Sequence, residues 1–250
     1  MMRGLYTAAS GLVADMRRIE AVTNNITNAQ TPGFKQERTS AATFGETLLA
    51  RVAGQRGGAG VGPLVLSAAA QAPALDLDQG PIQPTGRTLD VALEGPGFLA
   101  VQTAGGLRYT RDGSFTRDAQ GFLITATGAT VLGEDGPIQI ADGPVRIETD
   151  GTVRSDDTVV GRLAVVEFEP DTILERVGNN ELVPTGGAEP APAAGTAVRQ
   201  GAIEASNVDL TSALTSALSL QRAYEANQRM IQSTDEMMGK AANEIARPTS

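Results

Sequence analysis

The chain contains no cysteine and no histidine. It therefore has no thiolate nucleophile, no disulfide, no imidazole metal ligand and no side chain that ordinarily titrates near neutrality, which removes most familiar catalytic constellations. Lack of cysteine also suits a protein working outside the reducing cytoplasm, where a free thiol is a hazard. Tryptophan is absent and aromatic residues make up only 4% of the chain, so its cores must be aliphatic. Positive charge is in the minority, with 20 basic against 29 acidic residues and a formal net charge of −9. Such a surface repels nucleic-acid phosphates and anionic headgroups, and no nucleic-acid partner is expected. Charges and glycines interrupt every hydrophobic segment before it reaches the roughly 20 residues that a membrane span needs, so no membrane insertion is expected either. Met1–Ala9 also lacks the basic start, apolar middle and small-residue cleavage site of a secretory signal.

What is present is organised from the two ends. From Leu5 an apolar residue returns every seven positions, as Leu5, Leu12, Ile19 and Ile26, with Ala8, Ala9, Met16 and Val22 filling the adjoining seam. This spacing predicts a heptad helix ending near Asn28, where Thr31-Pro32-Gly33 combines turn chemistry with a residue that cannot continue a helix. Asp15 interrupts the seam. The same period reappears as Leu210, Ala217, Tyr224, Ile231 and Met238, helped by Leu214, Leu220, Ala223, Met230 and Met237. A second long helix is expected to run to about Ala246, with Ser206, Asn207 and Asp209 as candidate caps.

Between the helices the period changes to 2. Leu89, Val91 and Leu93 alternate before Gly95-Pro96-Gly97, and further strands are predicted at Leu107–Thr110, Gly121–Thr125, Val145–Glu148 and Arg162–Phe168. Asp112-Gly113, Asp135-Gly136 and Asp150-Gly151 punctuate them. The class expected is α+β: terminal helices forming a coiled-coil-like polymerisation domain, and a central, mainly antiparallel β domain. The expected boundaries are a discontinuous helical domain of 1–35 with 206–246, an irregular connection at 36–75, the β domain at 76–183 and a linker at 184–205. Gly54–Gly62 and Pro184–Gly195 are rich in Gly, Pro and Ala and are expected to stay outside any core.

Two helices alone leave much of each apolar stripe in water. Full burial of each large side chain contributes about 1.5–3 kcal/mol, so neighbouring chains that cover the stripes would stabilise both helices. Gly4 and Gly11, also seven apart, read either as a close helix approach or as tolerated glycines that cost about 1 kcal/mol each.

The segment Thr23-Asn24-Asn25-Ile26-Thr27-Asn28-Ala29-Gln30-Thr31-Pro32-Gly33-Phe34-Lys35 closely resembles the N-terminal signature of flagellar rod and hook proteins, with Thr27 in place of the common Ala. Read from the residues alone, it is a helix C-terminus in which Asn adopts left-handed geometry and Gly33 supplies a turn. The resemblance continues through Leu89–Phe98, Tyr109–Phe115 and Gln221–Asn227, in family order. It implies a rod subunit of the proximal or distal type, exported by the flagellar export apparatus without a cleaved signal peptide. Such subunits would build a hollow tube across the periplasm, with copies of the chain and other rod and hook subunits as partners. The terminal helices would form the inner wall and the β domain the outside, with polar residues near Gln221, Gln228 and Gln232 facing the channel. A subunit interface is accordingly expected at Leu5, Leu12, Ile19, Val22, Asn24, Asn25, Ile26 and Asn28, and at Leu210, Leu214, Ala217, Tyr224, Ile231 and Met238. Thr31, Gly33 and Phe34 form the turn motif.

Chemistry of other kinds finds little support. Gly57–Gly62 lacks the Gly-Lys-Ser/Thr ending of a phosphate loop, and Asp76 with Asp78, or Asp156 with Asp157, lacks the ligand spacing of a calcium loop. Glu134 and Asp135 form a carboxylate pair by sequence proximity alone. No catalytic residue, cofactor or metal is expected. The alternatives kept open are a hook or other axial subunit and a periplasmic glycan-binding module.

Overall fold

The computed structural model describes residues 2–39, 74–156, 158–178, 180–193 and 195–245. It has a mainly antiparallel β body and two long helices, α1 (Met2–Thr27) and α2 (Leu210–Ile245). The chain divides into two units. One contains α1 as far as Ile26 together with α2, and the other contains Thr27–Gln36 and Leu75–Asp209. Among the described residues no helix is long and apolar enough to cross a membrane.

The β unit is built on a sheet in which Leu174–Arg176, Leu182–Pro184, Gly106–Thr110, Phe98–Thr103, Thr130–Gly133, Leu123–Thr125 and Phe115–Arg117 follow one another, each antiparallel to the next. Strand alternation explains how one segment serves two cores. In Phe98–Thr103, Leu99 and Val101 point into a cluster with Val91, Leu93, Phe115, Val131 and Leu163, while Phe98 and Ala100 point into a second cluster with Tyr109, Leu174 and Leu182. Four successive buried residues therefore mark a strand covered on both faces. Phe168 meets Tyr109 edge-on at 4.9 Å and Phe98 at 5.8 Å, so the scarce aromatics gather in the second cluster.

The segment 184–205, expected as a linker, is not one. Ala197–Gln200 pairs along its whole length with Val91–Glu94, and Ala202–Glu204 pairs with Ile82–Pro84. Val198 and Ala202 are buried, so the β unit continues to the threshold of α2. Ladder hydrogen bonds need no large side chains, which is why a stretch rich in Ala and Gly hid two strands. Ala191–Pro192, inside the Pro184–Gly195 stretch, also pairs with Val165–Glu167. At the other end, α1 stops at Thr27, and the turn motif with Lys35 belongs to the β unit rather than to a helical domain. Most of the 36–75 connection, including Gly57–Gly62, lies outside the described residues.

Within the helical unit the seven-residue repeat and the buried face do not coincide. On α1 the buried residues are Ala14, Asp15, Ala21 and Asn25, while Leu12, Ile19, Val22 and Ile26 are half-buried at their flank. On α2 Ala213 is buried, Ala217, Tyr224 and Ile231 are half-buried, and Leu214 and Met230 are exposed. Leu5 and Met238 belong to the helices but lie outside the residues whose side chains are described.

Candidate functional site

The turn motif is fixed from the β unit. Asn28 receives the Thr31 amide on its carbonyl at 3.0 Å and the Thr31 hydroxyl on its side-chain oxygen at 3.2 Å, which closes the turn after α1. Gly33 has φ +66°, and a methyl group there would lie 2.4 Å from the backbone of Arg111 and Asp112, so neither its conformation nor its space admits another residue. Its amide donates to the Glu204 carbonyl at 2.7 Å. Phe34 is buried with the Arg176 guanidinium 4.0 Å over its ring, and Asn180 donates to the Pro32 carbonyl at 2.8 Å.

Next to Phe34 stands the feature that sequence reading missed. Lys35, Arg111 and Glu204 are 1%, 3% and 1% exposed and form one ion cluster. The Lys35 amine donates to Glu204 Oε1 and to the Asp78 carbonyl, each at 2.7 Å. Arg111 donates through Nη1 to Glu204 Oε2 at 3.0 Å and through Nη2 to the Gly95 carbonyl at 2.7 Å, with its guanidinium 4.8 Å over Phe98. Gly80 completes the carboxylate's shell with an amide at 2.9 Å. Burial pulls the Lys35 amine and the Arg111 guanidinium below their ordinary values, and the charge of Glu204 opposes this. Two cations share one carboxylate, and carbonyl oxygens and an aromatic face hold the excess positive charge.

Tyr109–Phe115 and Leu89–Phe98 supply the walls. Gly113 lies so close to Val91 that a methyl group would meet its carbonyl oxygen at 1.8 Å. Asp112 accepts the Ser114 amide at 2.9 Å and the Ser114 hydroxyl at 2.5 Å. Burial raises the Asp112 carboxyl above its ordinary value, and the negative charge of Asp90 adds to the shift against the Ser114 hydrogen bonds. Gly97 donates to Thr196 Oγ1 at 2.9 Å and has no room for a side chain beside Val165. Three segments singled out by their residues thus converge on one point.

The asparagines of the first segment act differently from expectation. Among the described residues, the non-glycine residues with left-handed φ are Asp156 and Asn180, so Asn24, Asn25 and Asn28 are not in that region. Buried Asn25 instead pairs by its side chain with both backbone groups of Glu37, at 2.8 Å each, and Asn24 donates to the Glu37 carboxylate at 2.9 Å. These amides, expected on a subunit interface, are engaged within the chain. Asp76 and Asp78 likewise offer backbone carbonyls to Asn207, at 2.9 and 3.0 Å, rather than forming an acid pair. Asn207 also accepts the Gln36 amide at 2.8 Å, so its side chain ties Gln36 to the segment of Asp76 and Asp78. Among the described residues no group of acidic side chains is placed to hold a metal ion.

Three family models match the chain: "Flagella basal body rod protein" over residues 5–35, "Flagellar hook protein FlgE/F/G D1 domain" over 92–155, and "Flagellar basal body rod FlgEFG protein C-terminal" over 199–244. Over its full length the chain is 34% identical to flagellar basal-body rod protein FlgF of Caulobacter vibrioides, covering 99% of both chains. The chain belongs to the flagellar basal-body rod protein family. It is also 31% identical to rod protein FlgG of Bacillus subtilis over 97% of this chain and 99% of the relative. To the flagellar hook-basal body complex protein FlhO of the same organism it is 34% identical, over 99% and 100%. In this rod-family chain the three matched segments each contribute one member of the ion cluster, Lys35 from the first, Arg111 from the second and Glu204 from the third. Membership displaces the reading as a periplasmic glycan-binding module.

Proposed function

We propose that the chain is a structural subunit of the flagellar basal-body rod, with no catalytic role, that polymerises through α1 and α2 with copies of itself and with other rod and hook subunits. The observation that carries the reading is where the large apolar side chains lie. The β unit buries most of its own in two cores and leaves Leu107, Val159, Ile173 and Val177 exposed, while on the helices Val13, Met16, Leu210, Leu214, Leu218, Met230 and Met237 are 43–59% exposed. Leu210, Leu214 and Leu218 follow at four-residue steps and share one face, and Met230 and Met237 share another. Covering each such residue contributes up to about 1.5–3 kcal/mol, so α1 and α2 gain most of their stability when neighbours dock. Leu12, Ile19, Ile26, Ala217, Tyr224 and Ile231, half-buried beside these faces, form the edge of the same contact. The subunit passes through the flagellar export apparatus uncleaved and takes its place in the part of the rod that crosses the periplasm.

The test separates assembly from folding. Leu214 is 47% exposed, so Leu214→Asp sacrifices little inside the chain but places a charge on the docking face. The variant is expected to keep the thermal unfolding of the β unit and to lose rod assembly, as judged by electron microscopy of basal bodies, and Leu12→Asp and Ile231→Asp are expected to do the same. Normal rods from all three variants refute the reading.

A further inference from the structure

The two helices meet at a polar contact in a place where a heptad seam would put carbon. Asp15 is 8% exposed, and Asn227 donates to its Oδ2 at 2.9 Å. Its other oxygen lies 3.8 Å from Arg18. One turn earlier Gly11 leaves room, since a methyl group added there would stand 3.7 Å from the Asn227 amide nitrogen. The pair is flanked on α1 by small or exposed side chains, Ala14 buried and Val13 and Met16 exposed, so apolar packing alone defines this crossing weakly.

A seven-residue repeat is degenerate by construction. The half-buried Leu12, Ile19 and Ile26 of α1 and Ala217, Tyr224 and Ile231 of α2 flank the buried face at seven-residue steps, so sliding one helix by a heptad sets like beside like again at similar hydrophobic gain, and sliding by a turn comes close. Hydrogen bonding removes the degeneracy. Displacing α2 by four residues sets Asp15 opposite Ala223 or Ile231, and displacing it by seven sets it opposite Leu220 or Thr234, whose hydroxyl already donates to the Met230 carbonyl at 2.8 Å. Each alternative leaves a buried carboxylate without the amide that now satisfies it. We infer that Asp15 and Asn227 are the register-determining pair of the helical unit, selecting one stagger of α1 on α2 out of several that the apolar repeat allows. The inference concerns two helices of one chain and stands independently of polymerisation. Where the chain does polymerise, the pair also sets the position of the Leu210–Leu218 face relative to Val13 and Met16, so that every copy offers its neighbours the same surface.

The absence of cysteine makes the test direct. Nitroxide labels on Glu20→Cys and Gln232→Cys, both at exposed positions, report the stagger in the full chain by electron–electron double resonance. The labelled parent is expected to give one narrow distance. Asp15→Leu with Asn227→Leu is expected to keep the helical circular dichroism and to add populations displaced by about 5–10 Å, one turn to one heptad at about 1.5 Å per residue. The reciprocal exchange, Asp15→Asn with Asn227→Asp, rebuilds the hydrogen bond and is expected to restore the single distance. A double-leucine chain with the parent's single distance, a parent that is itself multiple, or an exchange variant that stays broad each overturns the inference. Should the leucine variant lose its helices, the exchange variant alone decides.

Discussion

Glu204 shows how a side chain can matter more by what it leaves behind than by what it contributes. A buried ion cluster adds little net stability, because desolvation offsets most of the attraction, but removing one partner strands the others. Glu204→Ala leaves two buried cations and the Gly80 amide without their acceptor and is expected to cost about 3–5 kcal/mol. Lys35→Met leaves Arg111 to neutralise the carboxylate and is expected to cost less, about 1.5–3 kcal/mol. Urea unfolding of the two variants checks the order, and a Lys35 variant that proves the more costly would show that Arg111 does not hold Glu204 alone. Asp112 supplies the pH dependence. A carboxyl whose folded value is raised binds its proton more tightly in the native state than in the unfolded chain, so stability falls as pH climbs from the ordinary value of 3.8 through the raised one and stays reduced above it. Asp112→Asn keeps an oxygen for Ser114 and removes the buried charge. Its melting temperature is expected to exceed the parent's near neutrality, with the difference closing below the ordinary carboxyl value. A difference that persists in acid would trace the effect to packing instead.

At the scale of elements, periodicity proved a good guide to what forms and a poor one to what is buried. The Leu89–Val91–Leu93 alternation and the Asp-Gly turns located the strands at Val91–Glu94, Gly106–Thr110, Leu123–Thr125 and Val145–Ile147, because period 2 and turn chemistry are local. The heptads located α1 and α2 for the same reason. They did not disclose that α1 buries Ala14 and Ala21 while its larger aliphatics stay half-buried, since that depends on how closely another segment approaches. Nor did any local signal mark Lys35 and Arg111. A lone cation in a polar motif reads as a solvated one, and its partner Glu204 lies 169 residues from Lys35. The hint available was the alternation in Ala202-Ile203-Glu204, which puts the carboxylate on the same face as a buried alanine. Gly11 is the element whose reading the structure settles. A methyl group 3.7 Å from Asn227 is in ordinary contact, so close approach does not demand glycine within one chain. Gly11→Ala is therefore expected to stabilise α1 by about 1 kcal/mol, seen as higher helicity and melting temperature of the free chain. A free chain so stabilised that no longer enters rods would show that a neighbour needs the space.

At the scale of the whole molecule, the β unit draws on sequence from both sides of α1's end and from the threshold of α2. Gly33, Phe34, Lys35 and Gln36 reach Glu204 and Asn207 through four hydrogen bonds, from the Gly33 amide and the Lys35 amine to Glu204, from the Gln36 amide to the Asn207 side chain and from the Asn207 amide to the Phe34 carbonyl, and Asn207 goes on to the carbonyls of Asp76 and Asp78. The closing residues all belong to the β unit itself, which carries its own buried clusters. A fragment of residues 27–209 is accordingly expected to unfold cooperatively and to remain monomeric, because it carries every member of the ion cluster and none of the exposed helical leucines. Removing ten more residues tests the closure itself. A fragment of 37–209 lacks buried Phe34, whose burial contributes about 1.5–3 kcal/mol, and lacks Lys35, the Gly33 amide and the Gln36 amide as well. It is expected to lose several kcal/mol, about 3–6 when the hydrogen bonds to the charged carboxylate are added, as measured by urea unfolding against the longer fragment. Equal stability of the two fragments would mean that the segment after α1 merely lies on a finished β unit, and that Lys35 and Glu204 meet without closing anything.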